Sequence, residues 1–235
     1  VTFSITRQLR VPQIPFLLTQ IIASNVGGTA TLIGDPPNIM IGSAVKELTF
    51  MSFISNLAPI AAIVMIIYVP IFILLFRKQI KTTPELTQSI MDLDEKELIA
   101  DPQLLRKCLT VLGITMLGFF LHQSLHLESA TVALAGAFLL LLLTGEHMME
   151  AAFTKVEWTT IFFFVGLFVL VSGLVETGVI SKLAAQAIEL TDGNLVATSL
   201  LILWLSAIAS AFLDNIPFVA TMIPMIQEMG NMGVN

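Results

Sequence analysis

The sequence predicts an all-α integral membrane protein whose spans are interrupted by broken helices or re-entrant hairpins. Three observations carry that expectation. The 235 residues are 56% hydrophobic and only 12% charged, with a mean hydropathy of +0.90, whereas soluble domains carry about 25% charged residues. Apolar runs near the ~20 residues needed to cross ~30 Å of hydrocarbon recur along the chain. Two polar, helix-breaking stretches, 24–38 and 214–224, interrupt these runs.

Taken in order, the stretch 11–45 is apolar but broken by "SNVGGTATLIGDPPN". Residues 53–76, 108–127 and 195–213 read as clear spans, and 129–145 and 159–175 as shorter ones. Residues 217–227 begin a further span. The segments 146–157 and 181–190 have the pattern of short amphipathic helices lying at an interface. The region 77–107 is the long polar loop. It is basic at its edges (Arg77, Lys78, Lys81, Arg106, Lys107) and acidic in its middle (Asp92, Asp94, Glu95, Glu97, Asp101).

Basic residues orient membrane proteins toward the cytoplasm. With 77–107 placed inside and the spans alternating, Arg7, Arg10, Arg77, Lys78, Lys81, Lys96, Arg106, Lys107 and Lys155 fall on that side. Lys46 and Lys182 fall outside, so nine of the eleven basic residues agree. The chain thus reads as a multi-pass cell-membrane protein with a cytoplasmic 77–107 loop. It starts at Val1, shows no signal peptide and stops just past an apolar run, so an internal fragment of a longer protein is expected. The single cysteine, Cys108, permits no intrachain disulfide and no multi-thiolate site. It reads as packing, as do the eleven methionines. Gly113, Gly118, Gly136, Gly166 and Gly173 read as helix-packing positions.

Internal symmetry marks binding sites in transporters. Shifted by 190 residues, "SNVGGTATLIG" (24–34) lies over "DNIPFVATMIP" (214–224). Asn25 meets Asn215, Ala30 meets Ala220, Thr31 meets Thr221 and Ile33 meets Ile223. With the orientation above, the chain approaches Asn25 from the cytoplasm and Asn215 from outside. That is the pattern of an inverted-topology repeat, so the fold class expected is an inverted-repeat secondary transporter. Its segments are the end of a first repeat (1–45), a transmembrane helix (46–76), the polar loop (77–107) and a second repeat truncated at its C-terminus (108–235).

Unpaired backbone in lipid costs several kcal/mol per group, so irregular chain there must line a protein cavity. Gly27 and Gly28 allow a sharp turn and close approach, and a half-helix is expected to begin near Thr29. Asn25 and Asn215 each bring a donor and an acceptor. Asp35 before Pro36 and Pro37 reads as a helix N-cap followed by prolines at the first helical positions. The span is expected to break twice, at 25–28 and at 34–37. Asp35 and Asp214 are acids inside apolar segments, which marks them as ion-carrying candidates or as caps. Thr31 and Thr221 line the site or bond back to their own helices, and Asn38 lies just beyond the break. His122 and His126 share a face near Glu128 but read as an interfacial helix end, and His147 as solvated.

"ASNVGGTATLIGDPPNIMIGSA" (23–44), "SAFLDNIPFVATMIPMI" (210–226) and "WTTIFFFVGLFVLVSGLVETGVI" (158–180) resemble signature stretches of the ion transporter superfamily. The nearest branch holds arsenite permeases, NhaD-type sodium/proton antiporters and the melanosomal P protein. The resemblance implies an inverted-repeat carrier with Ser24-Asn25 and Asp214-Asn215 at hairpin tips or helix breaks flanking the substrate. It implies a homodimer, and for an arsenite-type permease it leaves room for a separate ATPase subunit. Asp214 stands where dicarboxylate carriers of the superfamily tend to have Ser, which speaks against citrate or succinate.

The function expected is therefore secondary transport of small inorganic ions, of the arsenite and anion permease type. A sodium/proton antiporter is the alternative. The substrate site is placed at Ser24, Asn25, Gly27, Gly28, Thr29, Thr31, Asp35, Asn38, Asp214, Asn215 and Thr221. Sodium would be held by oxygens of Asn25, Asn215, Asp35 and Asp214. No catalytic residue, cofactor or nucleic-acid partner is expected, and there is no phosphate loop for an ATP-driven pump. An intramembrane aspartyl protease would need two facing carboxylates on ordinary helices, and a structural scaffold would not explain paired helix breaks.

Overall fold

The computed structural model describes residues 2–91, 99 and 101–234, without the side chains of Ser89, Glu146 and His147. The acidic centre of the polar loop (Asp92, Asp94, Glu95 and Glu97), Lys96 and the His147 side chain therefore lie outside the described residues. Every regular element among the described residues is an α-helix: α1 (Thr2–Gln8), α2 (Gln13–Thr29), α3 (Pro36–Ala44), α4 (Phe50–Phe76), α5 (Pro84–Met91), α6 (Pro102–Leu121), α7 (Ser129–Thr144), α8 (Glu146–Phe153), α9 (Trp158–Glu176), α10 (Val179–Leu190), α11 (Leu195–Ser210) and α12 (Asn215–Asn231). The all-α expectation holds. α4, α6 and α9 are long and apolar enough to cross a membrane. Ile66, Leu74 and Leu75 on α4 are each more than 60% exposed. Side chains of that kind require lipid or further protein around them.

The chain packs as two compact units. Val1–Asp35 and Leu48–Phe153 form the first, and Pro36–Glu47 and Thr154–Asn235 form the second.

In the first unit, α2 packs on α4 and α6 forms a hairpin with α7. Thr49 caps α4 by accepting from the Ser52 amide at 3.1 Å. Phe50 at that end stacks on Phe119 and meets Phe120 edge-on, with centroids 6.1 and 5.0 Å apart, which joins α4 to α6. The polar loop is more ordered than expected. It contains α5, and α6 starts at Pro102, six residues before the expected span, because Asp101 caps it by accepting from the Gln103 and Leu104 amides at 2.9 Å. Pro at the first helical position has no N–H to leave unpaired. At the start of α5, the Glu85 carboxyl sits below the usual carboxylate range because its own backbone N–H and the Thr83 hydroxyl bond it. Along the hairpin, a Cβ on Gly136 would strike the Thr115 side chain, and one on Gly118 would reach 2.7 Å from Val132. Those two glycines are the packing positions expected, whereas Gly113, Gly166 and Gly173 face open space. Lys107 Nζ donates to the Leu143 carbonyl at 2.7 Å and ties the start of α6 to the end of α7.

In the second unit, Ile180, Ala184 and Ala187 of α10 interlock with Met222, Met225 and Met229 of α12. The expected interfacial helix 181–190 therefore buries its apolar face against a neighbouring helix. A one-sided apolar pattern is the same for either environment, which is why periodicity could not separate them. The run 195–213 also differs from expectation. Its helix, α11, has 16 residues and rises only about 24 Å. It is joined to α10 at a bend of 119°, as a broken span or re-entrant loop would be. Asp192 (φ 50°) and Gly193 (φ 67°) turn the chain there. Asn194 then caps α11 by accepting from the Ala197 amide at 3.0 Å. The Thr191 and Thr198 hydroxyls close the corner.

Candidate functional site

The structure moves the break in the opening motif. α2 runs helically through residues 25–28 to Thr29, and the irregular stretch is 30–35. The expected break at 25–28 and the half-helix from Thr29 are thus corrected to one break ending at Pro36. Two glycines weaken a helix by about 1 kcal/mol each relative to alanine, which apolar packing can absorb. Two adjacent prolines remove N–H groups, and the first disfavours helical geometry at the residue before it, Asp35. Here Gly28 serves close approach. A Cβ on it would lie 2.9 Å from the Gly34 carbonyl oxygen, and Gly34 meets the Gly28 peptide in turn. The break folds back on the end of α2 through two residues without side chains.

Ser24 and Asn25 lie on the exposed side of α2. Together with Thr2, Gln20, Leu17 and Ile21 they line a groove of about 530 Å³ between α1 and α2. Among the described residues, none that lines it is charged. The Asn25 amide nitrogen donates to the Ile21 carbonyl at 3.1 Å, which leaves its oxygen as an acceptor. Asn25 also lines a second groove, of about 270 Å³, with Thr29 and with Leu57, Ala61 and Val64 of α4. The Thr29 hydroxyl bonds back to the Val26 carbonyl at 2.7 Å. Gly27 is open, with nothing where a Cβ would sit. Thr31 lies in the break, and Asp35 immediately precedes α3 with Pro36 and Pro37 at its first two positions, as expected.

In the second unit, Asn38 is 8% exposed on α3, which packs against α12. Asp214 is the N-cap of α12, and its carboxylate accepts from the Ile216 amide at 3.0 Å. Asn215 is the first residue of that helix. The Thr221 hydroxyl donates to the Pro217 carbonyl at 2.8 Å, the back-bonded alternative. A cavity of about 700 Å³ lies beside these residues, with Met40, Ser43, Phe164, Phe168, Ala220 and Pro224 on its wall. Asp214, Asn215 and Thr221 do not line it, and its apolar wall suits hydrocarbon rather than an ion. The 190-residue shift also superposes unlike local structures, because Asn25 is inside a helix and Asn215 begins one.

His122 is spent on its own helix end, with Nδ1 2.8 Å from the Phe119 carbonyl. Among the described residues, no three His, Cys, Asp or Glu gather as metal ligands. Sequence reading missed Gln20 and Thr2. The available signal was spacing, since Gln20 precedes Ser24 by four residues and shares its face. It also missed Glu228 of α12, which accepts from the Ser181 hydroxyl at 3.0 Å and from the Asn231 amide at 3.3 Å.

The family model described as "Citrate transporter" (CitMHS) matches residues 1–235. An uncharacterized transporter of Mycobacterium tuberculosis is 43% identical over 229 residues, covering 97% of this chain and 53% of the relative. A 46 kDa membrane protein of Mycobacterium leprae is 38% identical with the same coverage. The human P protein is 29% identical over 306 residues, covering 98% of this chain and 36% of the relative. The chain thus spans about half the length of the mycobacterial relatives it matches. The expected resemblance to the P protein branch stands. No solved structure matches.

Proposed function

The chain belongs to the citrate transporter family, and from that premise we propose that it is a secondary active carrier moving a small oxygen-rich ion or its neutral acid across a cell membrane. The observation that carries the reading is the pair Ser24 and Asn25. They are displayed to an uncharged groove by a helix that is otherwise mostly apolar. Unpaired amides and hydroxyls in hydrocarbon cost several kcal/mol, so such a face belongs to a solvated path or to a bound solute. Neutral donors and acceptors favour a solute of low charge. Arsenite, largely the neutral trihydroxide at pH 7, fits this better than a fully ionised tricarboxylate. The capping role of Asp214 removes one argument against citrate, however, because its carboxylate is engaged with the start of α12.

Sodium/proton exchange is the second reading. Asp35 and Asp214 favour it, each standing immediately before a helix in an apolar segment. In either reading the loop 77–107 is cytoplasmic, the two motifs are halves of an inverted repeat and the carrier is a homodimer; only the arsenite-type permease would take a separate ATPase subunit.

Proteoliposomes holding the full-length protein decide among these. Arsenite or citrate uptake without sodium-driven proton movement supports the carrier. Sodium-driven acidification or alkalinisation that is lost in Asp35→Asn and Asp214→Asn supports the antiporter. Absence of all three fluxes refutes both.

A further inference from the structure

We propose that Gln20, held by Thr2, is a specificity-determining residue of the groove between α1 and α2, presenting N–H donors beside Ser24 and Asn25 to a neutral, hydroxyl-rich solute. The inference rests on the carrier reading and deepens it. The Thr2 hydroxyl donates to Gln20 Oε1 at 2.8 Å. With that oxygen accepting from Thr2, both donors on Nε2 are left for a solute. Asn25 has the opposite arrangement, because its nitrogen is bonded to Ile21 and its oxygen is left to accept. Ser24, four residues from Gln20 on the same face, both donates and accepts. The groove therefore offers a donor, an acceptor and a two-way hydroxyl within about 530 Å³.

That set complements a solute whose hydroxyls donate and accept in turn. It gives a fully ionised carboxylate donors from Gln20 and Ser24 but no counter-charge, so it discriminates by hydrogen-bond pattern rather than by Coulomb attraction. The fixed orientation of Gln20 matters. An amide free to rotate would present its oxygen as readily as its nitrogen, and in the structure the oxygen is the end that Thr2, at the start of α1, engages.

The test combines labelling with kinetics, in the protein with Cys108→Ser so that the single native thiol is gone. Gln20→Cys and Ser24→Cys variants are exposed to a membrane-impermeant thiol reagent, with Ile22→Cys as the control from the opposite side of α2. Labelling is repeated with arsenite and with citrate. Separately, uptake is measured for Gln20→Met, which keeps size but loses the donors, and for Thr2→Val, which loses the tether. Labelling at 20 and 24 well above the control, slowed by arsenite, is expected. Gln20→Met should raise the arsenite KM roughly tenfold, the equivalent of one hydrogen bond, with kcat little changed. Thr2→Val should raise it less and narrow the preference for arsenite over citrate, a change that mere loss of packing would not produce.

Labelling at 20 no faster than at 22, in a protein that still transports, overturns the groove and leaves the carrier standing. A wild type that moves neither probe while the Gln20→Cys variant is labelled and protected overturns the carrier and leaves the groove as a binding site. Wild-type KM and selectivity in Gln20→Met overturn the assignment of Gln20.

Discussion

The Thr191 and Thr198 hydroxyls lie 2.7 Å apart, both buried, at the corner where α10 meets α11. Thr191 also reaches the Ala187 carbonyl, and Thr198 the Asn194 carbonyl, each at 2.9 Å. Only one of the two can donate across the gap while the other donates to its own helix. Thr198→Val keeps the shape and removes the link, and is expected to destabilise the protein by about 1 kcal/mol. The double variant with Thr191→Val should be less destabilised than the sum of the singles, because the two share one interaction. Thermal unfolding in detergent measures both, and strictly additive losses would mean that the corner is held by something else.

The glycines of the α6–α7 hairpin are expected to differ in tolerance. Gly136→Val pushes into Thr115 and should cost about 1–3 kcal/mol by overpacking. Gly113→Ala, which meets nothing, should be neutral or stabilising by about 1 kcal/mol through helix propensity. Equal melting temperatures for the two variants would contradict the packing described.

Asp214 is expected to act first as a cap. Asparagine caps a helix as well as aspartate does, and alanine does not. Asp214→Asn should therefore melt with the wild type, while Asp214→Ala loses about 1 kcal/mol. A loss in both would mean that the charge, rather than the acceptor, holds the start of α12.

Asn25→Ala and Asn215→Ala are each expected to reduce transport at least tenfold while leaving membrane insertion intact. Flux assays and surface yield are compared in the same preparations. Wild-type flux from either variant would remove that residue from the site.

Much of this architecture was legible from composition and punctuation. The long apolar runs at 53–76 and 159–175 became α4 and α9 within a few residues, because their apolar length outweighs the breakers inside them, Pro59 and Pro70 in α4 and Gly166 and Gly173 in α9. Asp35 and the two prolines after it marked the start of α3 through the same stereochemistry that places caps and prolines generally. Three features escaped for physical reasons. The glycine pair 27–28 reads as a breaker locally, yet α2 continues through it and uses Gly28 for backbone contact with Gly34. The segment 181–190 has one apolar face, and periodicity cannot say whether lipid or α12 covers it. Gln20 sits in a plain apolar helix, and its role depends on Thr2, eighteen residues away. Hydrogen bonds over that separation leave no periodic trace.

The hairpin of α6 and α7 bears on how the protein enters a bilayer. α7 has 16 residues and rises about 24 Å, short of the ~30 Å of a typical hydrocarbon core. Alone it would have to thin the membrane around it or draw its ends inward, a mismatch that weakens insertion. α6, with 20 residues, matches the core. Glycine contacts along their length and the Lys107–Leu143 tie at one end make the pair a single inserting body, in which the longer helix carries the shorter across. A bulky residue at Gly136 would then weaken insertion of the hairpin as well as the packing of the folded protein.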